Sequence, residues 1–184
     1  MSEAKKRTKG LVLTAMLFAL AIVLSIIEGM LPSIVPIPGV KCGLSNIVVM
    51  YALFFLQKQD AFFVTVLKGL FAAMTRGVMA GVLSTAGGLL SIFVMLAVKC
   101  LTKEKGTYFI YSISGALAHN IGQFIVISLV YTSIGVVYYL PVLIVAGIAA
   151  GMVTSILLNY SMPALDALGL EKEIEWSRIR DKNG

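Results

Sequence analysis

Charged residues are scarce in this sequence. Only 13% of its 184 residues are Asp, Glu, Lys or Arg, whereas roughly 25% is usual in a globular domain. From Gly106 to Leu165 there are sixty consecutive residues with none of these four. A small soluble core cannot bury so much apolar surface, but a lipid bilayer is a solvent that tolerates it. The scarcity of charge therefore excludes an ordinary soluble domain and predicts an integral membrane protein.

Motifs for several kinds of chemistry are also missing. No glycine-rich loop is followed by Lys and Ser or Thr, which excludes ATP hydrolysis by the usual P-loop route. The aspartates Asp60, Asp166 and Asp181 are too scattered to hold magnesium against a diphosphate. A single histidine and two separated cysteines provide no convincing metal site. We therefore expect a binding protein without a cofactor, not an enzyme.

The net charge of +6 lies in short clusters between apolar runs, which indicates membrane topology and not nucleic-acid binding.

Apolar runs predict the transmembrane helices. Four runs approach or exceed the ~20 residues that a helix needs to cross a bilayer; they are residues 11–30, 77–98, 107–132 and 138–162. Two shorter runs, 44–56 and 61–75, fit either two tilted spans or a hairpin inside the bundle. After Pro163, residues 164–180 alternate apolar and charged groups, which predicts an amphipathic helix at the inner interface. We predict a single all-α membrane domain, 1–184, with about six transmembrane helices.

The distribution of basic residues predicts the orientation in the cell membrane. With six spans and the N-terminus inside, twelve Lys and Arg residues lie on the cytoplasmic side, and only Lys41 and Arg76 lie outside. Cytoplasmic loops are enriched in Lys and Arg, so we place both termini in the cytoplasm. An arrangement with four spans, in which the two short runs are re-entrant, also has an even number of membrane crossings. It therefore gives the same orientation.

Ionisable residues inside the apolar runs are candidates for function, because charge is costly in a bilayer. Glu28 lies near the outer end of the first span, Lys68 midway along the third, and Arg76 at the outer end of the third. Lys68 and Arg76 share a helix face, because steps of four residues return to the same side. Two readings are open. In the first, Lys68 pairs with Glu28 solely to neutralise both charges, and Arg76 extends to the lipid headgroups. In the second, the surplus positive charge lines an outward-opening pocket for an anionic substrate.

The fifth predicted span carries a polar stripe. His119, Asn120 and Gln123 lie on one side of a helix at spacings of three and four residues. Such side chains can hold helices together by hydrogen bonds across a membrane interface, and they can equally recognise a ligand. Asn120 is the member for which we favour a structural role.

Three segments resemble one protein family. They are residues 15–19 (AMLFA), 38–46 (PGVKCGLSN) and 115–123 (GALAHNIGQ). Together with the rest of the chain they look like the Gx transporter family, which is also described as heptaprenyl diphosphate synthase component I. That family resembles the substrate-binding S components of energy-coupling factor (ECF) transporters, and the likeness covers nearly the whole chain.

The resemblance implies a six-helix S component that captures a small molecule from outside and docks on a transmembrane T component with two ATPase subunits. In such transporters a stripe of small residues on the first helix contacts the T component, and by motif it corresponds to Ala15 and Ala19. The candidate substrate-binding residues are then Glu28, Lys41, Asn46, Lys68, Arg76, His119, Asn120 and Gln123.

The sequence identifies neither the substrate nor one function among three alternatives. An acidic group with a hydrophobic body is expected, so a flavin, a quinone or isoprenoid precursor, or a vitamin-like acid would fit. The rival hypothesis is a non-catalytic membrane accessory subunit of a prenyl diphosphate synthase. A third is a small membrane scaffold that binds no ligand.

Overall fold

The computed structural model describes residues 3–30, 45–56, 58–103, 106–130, 138 and 140–167. Within these ranges the chain forms six α-helices and no strand. The helices are α1 Glu3–Met30, α2 Asn46–Phe55, α3 Lys58–Arg76, α4 Val78–Leu101, α5 Tyr108–Val130 and α6 Leu140–Ala167. The all-α class predicted from the apolar runs is confirmed.

Among the described residues, four helical segments are long and apolar enough to cross a membrane. They are Gly10–Met30, Val78–Leu101, Tyr108–Val130 and Leu140–Tyr160. Each coincides with one of the four long apolar runs, so the chain is a multi-pass membrane protein. The total of six spans and the sides on which the termini lie stay predictions.

The two short apolar runs form helices of different character. α2 has ten residues and is therefore ~15 Å long, about half of the ~30 Å hydrocarbon thickness of a bilayer. α3 has nineteen residues, but its apolar sequence is interrupted by Lys58, Asp60, Lys68 and Arg76. α2 is largely enclosed by the other helices, with Val49 and Ala52 fully buried, which is why a short and almost wholly apolar helix is stable there.

The C-terminal helix is longer than the predicted last span. That span ends at residue 162, and α6 continues through Pro163 to Ala167. The first residues of the predicted interfacial tail, 164–167, are thus part of α6, and the remainder of that tail lies outside the described residues. Proline is tolerated in transmembrane helices because neighbouring groups satisfy the freed carbonyl.

Neighbouring helices pack in the order α1, α3, α4, α5, α6, and α2 packs against α1, α3, α4 and α5. Hydrogen bonds show the direction of α1, because Thr14 contacts Asp60 near the start of α3 and Ser25 contacts Arg76 at its end. α1 and α3 are therefore parallel. From α3 to α6, successive helices are antiparallel, so α1, α3 and α5 end on the side where α4 and α6 begin.

Glycines allow close approach where the helices cross. A Cβ atom added to Gly122 of α5 would lie 2.9 Å from the Cα of Gly87 in α4. A Cβ added to Gly151 of α6 would lie 2.7 Å from the Cα of Ile113 in α5. Contact of this kind between backbones supplies the van der Waals packing that holds helices together in lipid. The positions of the polar side chains on α4 and α5 depend on it.

Candidate functional site

A polar cavity lies at the end of the bundle where α1 and α3 end and α2 and α4 begin. Its empty volume is about 250 Å³, including the part that is open to the outside. The described residues that line it come from α1, the N-cap of α2, α3, α4 and α5, and Ala80 is the one apolar side chain among them. The lining residues are Ser25, Glu28, Ser45, Lys68, Arg76, Ala80, Ser84, His119 and Gln123. Residues that are far apart in the sequence thus meet because α1, α3 and α5 run in the same direction.

Lys68 is the most unusual member of this cavity. Its side chain is 1% exposed, although it comes from the middle of α3. Its Nζ has no hydrogen-bond partner among the described residues. Glu28, which is 6% exposed, and Arg76 are both close enough to interact with Lys68 electrostatically. A buried charge without a hydrogen bond is expensive, so packing alone gives no reason for a lysine at this position.

Arg76 connects α3 to α1 at the mouth of the cavity. Its Nη2 donates a hydrogen bond of 3.0 Å to Ser25 Oγ, and it interacts electrostatically with Glu28. At the opposite end of the same helix pair, Thr14 Oγ1 donates to Asp60 Oδ1 over 3.1 Å. α1 is therefore attached to α3 by polar contacts at both ends, and the contacts with Arg76 belong to the cavity wall.

His119 and Gln123 form the α5 side of the cavity. They are one helical turn apart, both are buried, and His119 Nε2 lies 2.9 Å from Gln123 Nε2 in a hydrogen bond. The other ring nitrogen of His119, Nδ1, lies against the backbone of Gly87 in α4. A Cβ added to Gly87 would lie 2.8 Å from that nitrogen. The absence of a side chain at Gly87 is therefore what makes room for the imidazole.

Two predicted site residues lie beside the cavity and do not line it. Asn46 Nδ2 donates a 2.7 Å hydrogen bond to Ser91 Oγ, which joins the start of α2 to α4. Asn120 Nδ2 donates a 2.7 Å hydrogen bond to the Leu143 carbonyl, which joins α5 to α6. Because Asn120 follows His119 directly, it points about 100° away around the helix. Its position suits the structural role that the sequence favours for it.

The remaining predicted positions are on other surfaces. Lys41 lies outside the described residues. Ala15 and Ala19 are both exposed, on a face of α1 that also exposes Val12, Met16 and Val23. This face contacts no other helix in the part of the chain that the structure describes. In a bilayer it meets lipid or a partner protein.

Sequence reasoning missed three serines that line the cavity. Ser25 precedes Glu28 by three residues and therefore shares its helix face. Ser84 lies four residues after Ala80, and Ser45 is the N-terminal cap position of α2. A serine within an apolar run gives no distinctive signal, because serine occurs at many helix contacts in membranes. The spacing to Glu28 was the one available clue for Ser25.

Comparison with known proteins identifies one family. No curated protein and no solved structure matches the sequence. The family described as heptaprenyl diphosphate synthase component I matches residues 17–161, which is well over half of the chain. This match covers α2, α3, α4 and α5 completely and every residue that lines the cavity. The chain therefore belongs to the heptaprenyl diphosphate synthase component I family of membrane proteins, the family that its sequence resembles.

Proposed function

We propose that this chain is a substrate-binding membrane subunit, the S component of an ECF-type transporter, and that it captures a small anionic molecule from outside the cell. It binds its substrate and leaves ATP hydrolysis to partner subunits. The observation that carries the proposal is the cavity around Lys68. A buried ammonium group without a hydrogen bond among the described residues is costly, and a bound anion would supply the hydrogen bonds that the electrostatic interaction with Glu28 does not.

The direction of the cavity supports uptake. It opens at one end of the bundle. The start of α3 and the end of α4 lie at the opposite end, together with Lys58, Lys99 and Lys103. Basic residues concentrate on the cytoplasmic side of membrane proteins. The cavity then faces outward, which is the orientation that a protein needs to collect a substrate for import.

The orientation predicts which positions chemical reagents reach. Val35 lies in the predicted outer loop between the first two apolar runs. In intact cells, a Val35→Cys, Cys42→Ser, Cys100→Ser variant should therefore react with a membrane-impermeant maleimide. A Cys42→Ser variant retains only Cys100, which is exposed at the end of α4, and it should react only after the cells are permeabilised. Gel-shift assays of both variants, with and without detergent, measure this. The reverse labelling pattern would place the cavity on the wrong side for uptake.

The exposed face of α1 is the proposed contact with the T component. Replacing Ala15 and Ala19 with leucine should abolish copurification with the T component and the ATPases, because bulky side chains prevent close helix approach. The melting temperature should not fall, since neither alanine packs against the described helices. Phe62→Leu and Phe63→Leu on the exposed side of α3 are the matched controls and should leave copurification intact. An assembled complex in the double alanine variant would refute this contact.

The family description favours a second function, that of a non-catalytic membrane subunit of a prenyl diphosphate synthase. One affinity purification from the native membrane, in mild detergent, separates the two. The transport proposal requires that a second membrane protein and ATPase subunits copurify, together with a retained small molecule. A soluble synthase that copurifies without ATPases would support the accessory role and refute the transport proposal.

A further inference from the structure

His119 and Gln123 form a hydrogen-bonded pair in which the donor and the acceptor can be assigned. Their two Nε2 atoms lie 2.9 Å apart. The Nε2 of a glutamine amide carries hydrogens and can only donate, so Nε2 of His119 must accept. A ring nitrogen that accepts a hydrogen bond has no proton. His119 is therefore a neutral imidazole with its proton on Nδ1.

The backbone of α4 requires the same tautomer. Nδ1 of His119 lies against Gly87, within reach of a hydrogen bond with its backbone. Gly87 is in the interior of α4, where its N–H already bonds the carbonyl four residues earlier. The carbonyl oxygen of Gly87 has a second lone pair, so it is the group that can accept from Nδ1–H. The opposite tautomer would place a lone pair of the ring against this carbonyl.

The two contacts form one chain of hydrogen bonds with a fixed direction. It runs from the Gly87 carbonyl through Nδ1–H and Nε2 of His119 to the amide nitrogen of Gln123. The helix backbone thus determines the tautomer, and the tautomer determines which end of the Gln123 amide faces the ring. Oε1 of Gln123 is directed away from His119. A carbonyl oxygen accepts up to two hydrogen bonds, so Oε1 can accept one from a ligand in addition to any contact within the protein.

Lys68 supplies the complementary group. Its ammonium can only donate, and its Nζ has no hydrogen-bond partner among the described residues. Lys68 lies close enough to His119 to interact with it electrostatically, and it lines the same cavity as Gln123. A ligand that bonds both side chains therefore presents an acceptor to Lys68 and a donor to Gln123 Oε1. This requirement follows from local hydrogen-bond geometry and holds whatever the total charge of the cavity.

We propose that His119 is a positioning residue that holds Gln123 as a hydrogen-bond acceptor, and that the substrate is an acid with a hydroxyl or N–H group near its anionic oxygen atoms. The anionic part of this inference rests on the proposed binding function, and the donor group deepens it. An analogue of the same charge without the donor would lose the hydrogen bond to Gln123. Sites built to bond a substrate O–H or N–H discriminate strongly against such analogues.

The ring of His119 reports the arrangement directly, because it is the only histidine in the sequence. The full-length protein, labelled with 15N-histidine in lipid nanodiscs at pH 7, should show a protonated Nδ1 and an unprotonated, hydrogen-bonded Nε2 by NMR. Gln123→Met should shift the Nε2 resonance toward that of a nitrogen without a hydrogen bond, and the same substitution at the exposed Gln59 should not. A protonated Nε2 in the unmodified protein would refute the positioning role but leave anion binding at Lys68 intact.

Three acids of equal charge test the chemistry of the ligand. The same protein is titrated with butyrate, 2-hydroxybutyrate and 3-hydroxybutyrate by isothermal calorimetry. One hydroxy acid should bind with a dissociation constant at least about threefold below that of butyrate, the scale of one hydrogen bond. Gln123→Met and His119→Leu should both abolish this difference, and Gln59→Met should preserve it.

The outcomes separate the inference from the function on which it rests. Equal dissociation constants for the three acids in the unmodified protein would refute the donor group and leave the proposed function intact. A hydroxyl preference that persists in His119→Leu would refute the positioning role. Absence of saturable binding of all three acids would refute the anion site and with it the proposed function. The spectrum and the titrations of the unmodified protein decide these points even if a variant does not fold.

Discussion

Lys68→Met should change the stability of the protein little, while the substrate no longer stays bound. Replacing a whole buried ion pair by apolar side chains is often neutral or stabilising by about 1–4 kcal/mol, whereas removal of one partner is destabilising when it leaves the other charge uncompensated. Glu28 retains a favourable interaction with Arg76 in this variant, so it is not left alone. Loss of the ammonium group should weaken substrate binding by ~1–3 kcal/mol, which is about 5-fold to 150-fold in affinity.

Two measurements on the same sample check this expectation. The melting temperature in detergent reports stability, and native mass spectrometry reports the small molecule retained after mild purification. Lys58→Met is the matched control, because it makes the same substitution at an exposed position of α3 and should change neither quantity. A Lys68→Met protein that melts far lower, yet retains the same small molecule, would show that Lys68 has a structural role.

Gly122→Ala should destabilise the bundle strongly, although it adds only one methyl group. The new Cβ would lie 2.9 Å from the Cα of Gly87 and 3.0 Å from the carbonyl oxygen of Ala86. Both are backbone atoms of α4, so no side-chain rotation relieves the contact and the two helices must separate. Overpacking of this kind costs ~1–3 kcal/mol. Separation of α4 from α5 also moves His119, so retention of the substrate should fall as well.

Gly10→Ala is the matched control for this substitution. Gly10 lies in α1 with no atom within 4 Å of an added Cβ, so alanine should stabilise that helix by up to ~1 kcal/mol through its higher helix propensity. Melting temperatures of the two variants should therefore move in opposite directions from that of the unmodified protein. A Gly122→Ala protein with unchanged melting temperature would mean that α4 and α5 do not approach as closely as the structure shows.

The sequence predicted the transmembrane helices well where a single physical signal dominates. Long runs without charge identified the segments corresponding to α1, α4, α5 and α6, because only an apolar surface is stable in lipid. The continuation of α6 through Pro163 was not predicted, because the rule that proline ends a helix holds less well in membranes. For the short α2, the apolar composition indicated burial but not whether lipid or other helices cover it.

The candidate site was predictable only in part. The cost of charge in a bilayer identified Glu28, Lys68 and Arg76, and all three line the cavity together with His119 and Gln123. Their common location depends on the parallel arrangement of α1 and α3, which no local sequence pattern specifies. The division of the polar stripe in α5, with Asn120 directed to α6 and its neighbour His119 to the cavity, depends on which helix lies on each side.

α1 belongs to two surfaces at once. One side of it contributes Ser25 and Glu28 to the cavity wall, and the other exposes Ala15 and Ala19. If a substrate that engages Arg76 changes the position of α1, the exposed side changes with it. Free-energy coupling between two binding events is reciprocal, so a protein docked on Ala15 and Ala19 must then alter the affinity for substrate by the same factor by which substrate alters docking. A single helix would thus suffice to make release of the substrate depend on the partner.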